Sequence, residues 1–236
     1  MNMPALHMSP LLETVEHQTG PDPQWTVLWL HGLGADGHDF VPIVPELVRR
    51  DWPALRFVFP HAPQRAVTIN GGMRMRAWYD IRDLGFNDAS SANRADEQGV
   101  EESIAQVQAL IARESERGVP PSRLLLAGFS QGGAITLAAG LRRSEPLAGL
   151  IGLSTYLPIH HRAAQQLTPQ ATSQSLFMAH GTQDPVVPYA AGQASATRLR
   201  ELGFAVDWHR YPMAHSVCPE EIRELGDWMS LRFAAS

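Results

Sequence analysis

Apolar positions in this chain fall into short, nearly continuous runs separated by longer stretches in which they recur every three or four residues. Leu124-Leu125-Leu126-Ala127 is apolar at every position and Trp25-Thr26-Val27-Leu28-Trp29-Leu30 at every position but Thr26, as a strand covered on both faces requires. Residues 56–59 (Arg56-Phe57-Val58-Phe59, stopped by Pro60), 147–153, 175–179 and 205–211 carry further strand signals, and 11–17 alternates like an edge strand. Over 93–117, Val100, Ile104, Val107, Leu110 and Ile111 keep helical spacing until Gly118-Val119-Pro120 ends the run, predicting the longest helix. Shorter helices are expected at 40–49 (interrupted by proline), 134–141, 188–202 and 220–231. Residues 62–81, with Val67, Ile69, Met73, Met75, Trp78 and Tyr79, follow neither period and read as a long apolar loop.

Strands that alternate with helices imply a mainly parallel sheet covered on both faces, because parallel neighbours need a crossover and the crossover must pack somewhere. The expected fold class is therefore α/β. In such sheets the working groups lie just past the carboxyl ends of strands. At 236 residues the simplest organisation is one domain over 1–236, with its core at about 11–233. No repeat, low-complexity tract or linker composition divides it. The 154–175 segment is too short for a separate cap domain.

The net charge of -5, with no local Lys/Arg cluster, argues against a nucleic-acid partner. Cys218 is the single cysteine, so an intrachain disulfide is impossible and a reducing compartment is expected. The start Met1-Asn2-Met3-Pro4-Ala5-Leu6-His7 has no basic, then apolar, leader pattern, and no apolar run is long enough for an integral membrane segment. These readings point to a cytoplasmic protein.

The chemistry is concentrated at Gly128-Phe129-Ser130-Gln131-Gly132, between a strand signal and a helix signal. This is G-x-S-x-G in a strand–turn–helix context: a sharp turn strains the backbone at Ser130, and hydrogens at the two glycines avoid collision with neighbouring backbone. The helix N-terminus would then aim the Gln131 N–H and a positive dipole end at an oxyanion beside Ser130. A neutral serine needs a base, and the base an orienting acid, in the chain order Ser, Asp or Glu, His. Asp184 and His215 stand on loops after the strands at 175–179 and 205–211. The rival acid Asp207 and His209 lie inside the second of those strands. His180 precedes the acid and is read as shaping its turn, and His160-His161 has no accompanying ligand set, so no metal is expected. His31-Gly32-Leu33-Gly34-Ala35-Asp36-Gly37 literally contains G-x-G-x-x-G, but the next strand ends Phe59-Pro60-His61, without the acidic residue that a dinucleotide ribose needs. The loop fits better as the source of a second oxyanion donor, the Leu33 N–H, with His31 as a brace. Within the apolar stretch at 62–81, Met75 and Trp78 are the candidate acyl-binding residues.

Taken together these blocks resemble the phospholipase/carboxylesterase family of α/β-hydrolases, which includes acyl-protein thioesterases and lysophospholipases. Leu30 to Gly37, Phe59-Pro60-His61-Ala62-Pro63, Ala77-Trp78-Tyr79-Asp80-Ile81, Gly128 to Ala134, His180-Gly181-Thr182-Gln183-Asp184 and Ala214-His215 match its characteristic blocks in order. The resemblance implies a single-domain α/β-hydrolase with catalytic Ser130, Asp184 and His215 and an oxyanion hole from the Leu33 and Gln131 N–H groups. It implies a cofactor-free serine carboxylesterase acting on small-molecule esters or thioesters of small or medium acyl length. Lysophospholipase or acyl-protein thioesterase activity is the alternative within the family, and a catalytically silent binding protein the alternative outside it. Residues 70–76 resemble the bacterial esterases of the family more than the eukaryotic thioesterases. Family members are often dimers, so a homodimer is a further expectation.

Overall fold

The computed structural model describes residues 11–83 and 96–234. The N-terminal heptapeptide and the first residues of the helix expected from 93 lie outside that range. Seven strands form the central sheet in the order β1-β3-β2-β6-β7-β8-β9. They are β1 (Thr14–Gln18), β2 (Trp25–Leu30), β3 (Leu55–Pro60), β6 (Leu124–Phe129), β7 (Gly149–Leu153), β8 (Leu176–Gly181) and β9 (Val206–Tyr211). Only β1 runs antiparallel, paired with β3 at one edge; the other pairs are parallel. The strands β4 (Gln64–Val67) and β5 (Met73–Arg76) form a separate antiparallel hairpin.

Both faces of the sheet are buried, and the alternation along each strand divides the core in two. Leu28, Leu30, Leu124 and Leu126 pack with α2 (Glu97–Glu116), α3 (Gln131–Gly140) and α5 (Tyr189–Glu201). Val27, Trp29, Leu125 and Ala127 face the one-turn α1 (Val44–Leu47) and the C-terminal α6 (Pro219–Ala234). The Asp96 side chain caps α2 by accepting from the Gly99 N–H, and buried Val100, Ile104, Val107, Leu110 and Ile111 form its inner stripe. Between β7 and β8 there are short 3-10 turns and the one-turn α4 (Ala163–Gln166), so this segment supplies no cap domain over the sheet's carboxyl edge.

Two expectations are corrected. The helix at 40–49 is reduced to a 3-10 turn (Val41–Ile43) and α1, because Pro42 and Pro45 remove donors that a longer helix would need. The stretch at 62–81 is not a loop throughout but contains the β4–β5 hairpin. Its turn depends on Gly71 and Gly72, with φ of 66° and 77°, values that residues with a Cβ rarely adopt. The hairpin's strands are only four residues long, and although β5 (Met73-Arg74-Met75-Arg76) alternates Met with Arg, its burial does not follow that alternation: Met73 and Arg74 are exposed and Met75 and Arg76 half-buried.

One buried charge stores a pH-dependent cost. Glu221, in the first turn of α6, is 1% exposed, and among the described residues its carboxyl has no well-formed hydrogen bond, only the nearby Cys218 backbone offsetting its burial in part. Burial pushes its pKa up from 4.5 to about 8. Below about 4.5 the acid is neutral folded and unfolded; as pH rises to about 8 only the unfolded chain ionises readily, so stability falls across that window. Glu221→Gln should therefore raise Tm relative to the parent at pH 8.5, with the gap closing near pH 4.5. Thermal unfolding at the two pH values checks this; a gap of equal size at both would show that the carboxyl does not titrate across the window.

Candidate active site

The carboxyl end of β6 builds the centre of the site. Ser130, directly after Phe129, has φ 54° and ψ −120°, a strained turn conformation for a residue with a side chain. Its N–H donates to the Leu153 carbonyl (2.9 Å). Its own carbonyl accepts from the Thr155 hydroxyl (2.7 Å) and the Ala134 N–H (3.0 Å). The glycines are required by close approach: a Cβ on Gly128 would sit 2.4 Å from the Gly132 carbonyl group, and one on Gly132 2.4 Å from the Leu30 oxygen. Sequence reasoning identified the turn but not Thr155, a lone threonine after β7 that carries no motif.

Ser130, His215 and Asp184 meet in an unbroken hydrogen-bonded chain. His215 Nδ1 is 2.7 Å from Asp184 Oδ2, and His215 Nε2 is 2.9 Å from Ser130 Oγ. An ionised carboxylate can only accept, so Nδ1 carries the proton; Nε2 is then left as an acceptor, and the Ser130 hydroxyl donates to it. Asp184 lies just past β8, its side chain fully enclosed, and Oδ1 accepts from the Val186 (2.8 Å) and Val187 (2.9 Å) N–H groups. The Phe129 ring packs 4.7 Å from the His215 ring and limits its swing.

His180 lies behind the acid, where its Nε2 donates to the Val187 carbonyl (2.8 Å) and stands 3.5 Å from Asp184 Oδ2. Burial lowers its pKa, which keeps the ring neutral beside the carboxylate. Asp207 is in β9 and half-exposed, 3.0 Å from His209 Nε2, while His209 Nδ1 contacts Glu224 (2.9 Å). His161 stands 3.6 Å from Glu97. Asp207, His209 and His161 do not join the Ser130 constellation, whereas His180 backs its carboxylate.

The loop after β2 lies against the Ser130 turn, since a Cβ on Gly32 would be 3.5 Å from that of Ser130. Among the described residues neither the Leu33 nor the Gln131 backbone N–H has a hydrogen-bond acceptor, and Gln131 is the first residue of α3. His31 braces the loop: Nδ1 donates to the Gly32 carbonyl (2.7 Å) and Nε2 accepts from the Ala62 N–H (3.1 Å). Burial depresses its pKa to about 4, so it stays neutral at ordinary pH. Further along the loop, Asp36, His38 and His61 each offer one ligand atom within 4.8 Å of the others, a set that could hold a metal ion. The Asp36 carboxylate there already accepts from the His38 N–H (2.8 Å), and His38 is exposed.

The two acyl-binding candidates separate. Met75 is half-buried on β5, and its Sδ would lie 3.7 Å from a Cβ on Gly34, beside the loop after β2. Trp78, expected as an acyl-binding residue, is fully buried in the core, with its backbone and indole nitrogens both bonded within the protein.

Residues 13–232 match the family model described as Phospholipase/Carboxylesterase. The chain belongs to the phospholipase/carboxylesterase family. Among members of this family, the acyl-protein thioesterase 1 of Cryptococcus neoformans is 38% identical over 86% of this chain and 90% of its own. A probable carboxylesterase of rice is 36% identical over 89% of this chain and 78% of its own. Among solved structures, Arabidopsis thaliana SOBER1 superposes with a TM-score of 0.81 at 33% identity, covering 88% of this chain and 98% of that one. The Zea mays acyl-protein thioesterase 2 superposes with a TM-score of 0.77 at 27% identity, covering 93% and 99%. The phospholipase/carboxylesterase fold is thus an α/β-hydrolase sheet, and the relatives' names support a hydrolase. No helix among the described residues is long and apolar enough to cross a membrane.

Proposed function

We propose that the protein is a serine hydrolase of carboxylic esters and thioesters, with Ser130 as nucleophile, His215 as general base and then acid, and Asp184 as the group that orients His215. The observation that carries this reading is the Ser130–His215–Asp184 hydrogen-bonded chain, with two acceptor-free backbone amides on the segments beside Ser130. Ser130 Oγ bonds to the acyl carbon as its proton passes to His215 Nε2, and the carbonyl electron pair moves onto oxygen, where the Leu33 and Gln131 N–H groups receive it. Collapse breaks the C–O or C–S bond, and His215 gives its proton to the leaving alcohol or thiol. Water attacks the acyl-enzyme with His215 again as base, and Ser130 regains its proton as the acid leaves. The relatives named acyl-protein thioesterases favour including thioesters. Cytoplasmic placement and a homodimer belong to the same proposal.

The test is hydrolysis of matched oxyester and thioester series of stepped acyl length. Both series should be turned over. kcat/KM should climb with chain length, at up to about 0.8 kcal/mol per buried methylene, until the groove is filled. Met75→Ala should flatten that climb more than it lowers the rate on acetyl esters. A folded protein inert towards both series would exclude the hydrolase reading, and an unchanged chain-length profile in Met75→Ala would place the acyl groove elsewhere.

A further inference from the structure

An oxyanion hole works only when its donors sit about 2.7–3.1 Å from the place the charged oxygen will occupy. Here the two proposed donors belong to separate segments, Leu33 on the loop after β2 and Gln131 at the start of α3. Something must fix one against the other. The segment leaving β5 touches both. The Arg76 carbonyl accepts from the Gly34 N–H (2.9 Å), one residue after Leu33. The Trp78 indole Nε1–H donates to the His31 carbonyl (2.9 Å), two residues before it. On the other side, the Trp78 backbone N–H donates to Gln131 Oε1 (2.8 Å), and Gln131 Nε2 donates to the Tyr79 carbonyl (2.7 Å). The Ser103 hydroxyl of α2 donates to the Trp78 carbonyl and ties the segment to the core.

We propose that residues 76–79 form a bracket that sets the two oxyanion donors relative to each other, with Trp78 and the Gln131 side chain as positioning residues. The proposal rests on the reading of Ser130 as nucleophile. Trp78, Gln131 and His31 are 0%, 1% and 2% exposed, so these bonds are made away from water and any one left unmade costs the full desolvation of its group. A buried indole N–H needs some acceptor in any protein. What distinguishes this one is that its acceptor lies on the oxyanion loop, while the same residue's backbone N–H holds the side chain of the other donor. The Gln131 amide is clasped at both ends, which fixes the rotation of the first helical turn and with it the direction of the Gln131 backbone N–H. Catalysis is sensitive to such placement: an error of about 1 Å in an active site can cost on the order of a hundredfold in rate.

The experiment compares Trp78→Phe, which keeps an aromatic ring but loses the bond to His31, with Gln131→Met, which keeps the length but loses both clasp bonds. Gln131→Glu retains the acceptor for the Trp78 N–H and serves as the conservative variant. kcat and KM are measured on p-nitrophenyl acetate and octanoate, together with the affinity for an aryl trifluoromethyl ketone, whose serine adduct places an oxyanion in the same hole. Folded fraction comes from circular dichroism, and Ser130→Ala is run in parallel. kcat should fall about tenfold in Trp78→Phe and about a hundredfold in Gln131→Met, with Gln131→Glu between the parent and Gln131→Met. KM should stay within about twofold, the loss should be equal on both esters, and ketone affinity should weaken in step. Parental kcat in either folded variant, with Ser130→Ala inactive, overturns the bracket and leaves the nucleophile standing. A loss confined to the octanoate ester, with ketone affinity intact, also overturns it and returns Trp78 to acyl contact. If Trp78→Phe does not fold, the Gln131 pair decides alone. Parental turnover by Ser130→Ala would remove the bracket and the functional reading together.

Discussion

Ser130→Ala should lower kcat by on the order of 10⁵- to 10⁶-fold on any ester the protein hydrolyses, with circular dichroism and Tm close to those of the parent. The nucleophile and base act as one unit, so His215→Ala should cost a similar factor, and the double variant little more than either single one. The fold should tolerate the change because the elbow is held by its backbone: the Leu153 carbonyl receives the Ser130 N–H, and the Thr155 hydroxyl donates to the Ser130 carbonyl. Neither contact involves Oγ. Steady-state kinetics on purified variants, with a parallel unfolding curve, checks the prediction; multiplicative losses in the double variant would mean that the two side chains act separately.

Asp184→Asn should reduce kcat by about 10⁴-fold, and the geometry gives the reason. Oδ1 faces the Val186 and Val187 N–H groups, which need an acceptor, so the carboxamide oxygen must take that place. The amide NH₂ is then forced towards His215 Nδ1, which becomes an acceptor. The ring proton moves to Nε2, and the Ser130 hydroxyl faces a donor where it needs a base. Asp207→Asn should stay within about twofold of the parent, because its partner is His209 on the same strand and its side chain is half-exposed. The two variants assayed side by side discriminate the acids; loss in Asp207→Asn with activity retained in Asp184→Asn would reverse the assignment.

The parts of the fold that could be read from the chain are those in which local pattern and tertiary environment agree. β2 and β6 are nearly continuous apolar runs, and in the structure both of their faces are covered. The elbow was legible because Gly128 and Gly132 bracket Ser130, and the reason for each glycine is a contact made within the strand–turn–helix unit or with the adjacent β2. The positions of Asp184 and His215 followed from chain order and strand ends; the structure brings them to 2.7 Å. What could not be read depends on long-range contacts or on exposure. The β4–β5 hairpin has strands of four residues, too short for the Met–Arg alternation of β5 to stand out as a period, although Asn70-Gly71-Gly72 carried a turn signal that could have found it. Trp78 shows the limit most plainly. Its composition suggests an apolar wall, while its partners, the His31 carbonyl and the Gln131 side chain, are distant in sequence.

Whether Ser130 forms the covalent acyl-enzyme is read out by a fluorophosphonate, whose phosphorus reacts readily with an activated serine and far more slowly with an ordinary hydroxyl. The protein is incubated with the probe, digested and mapped by mass spectrometry. One adduct is expected, on the peptide carrying Ser130, appearing in step with loss of esterase activity and absent from Ser130→Ala. An inactivated protein with its adduct on another residue, or full labelling of Ser130 with turnover unchanged, would contradict it.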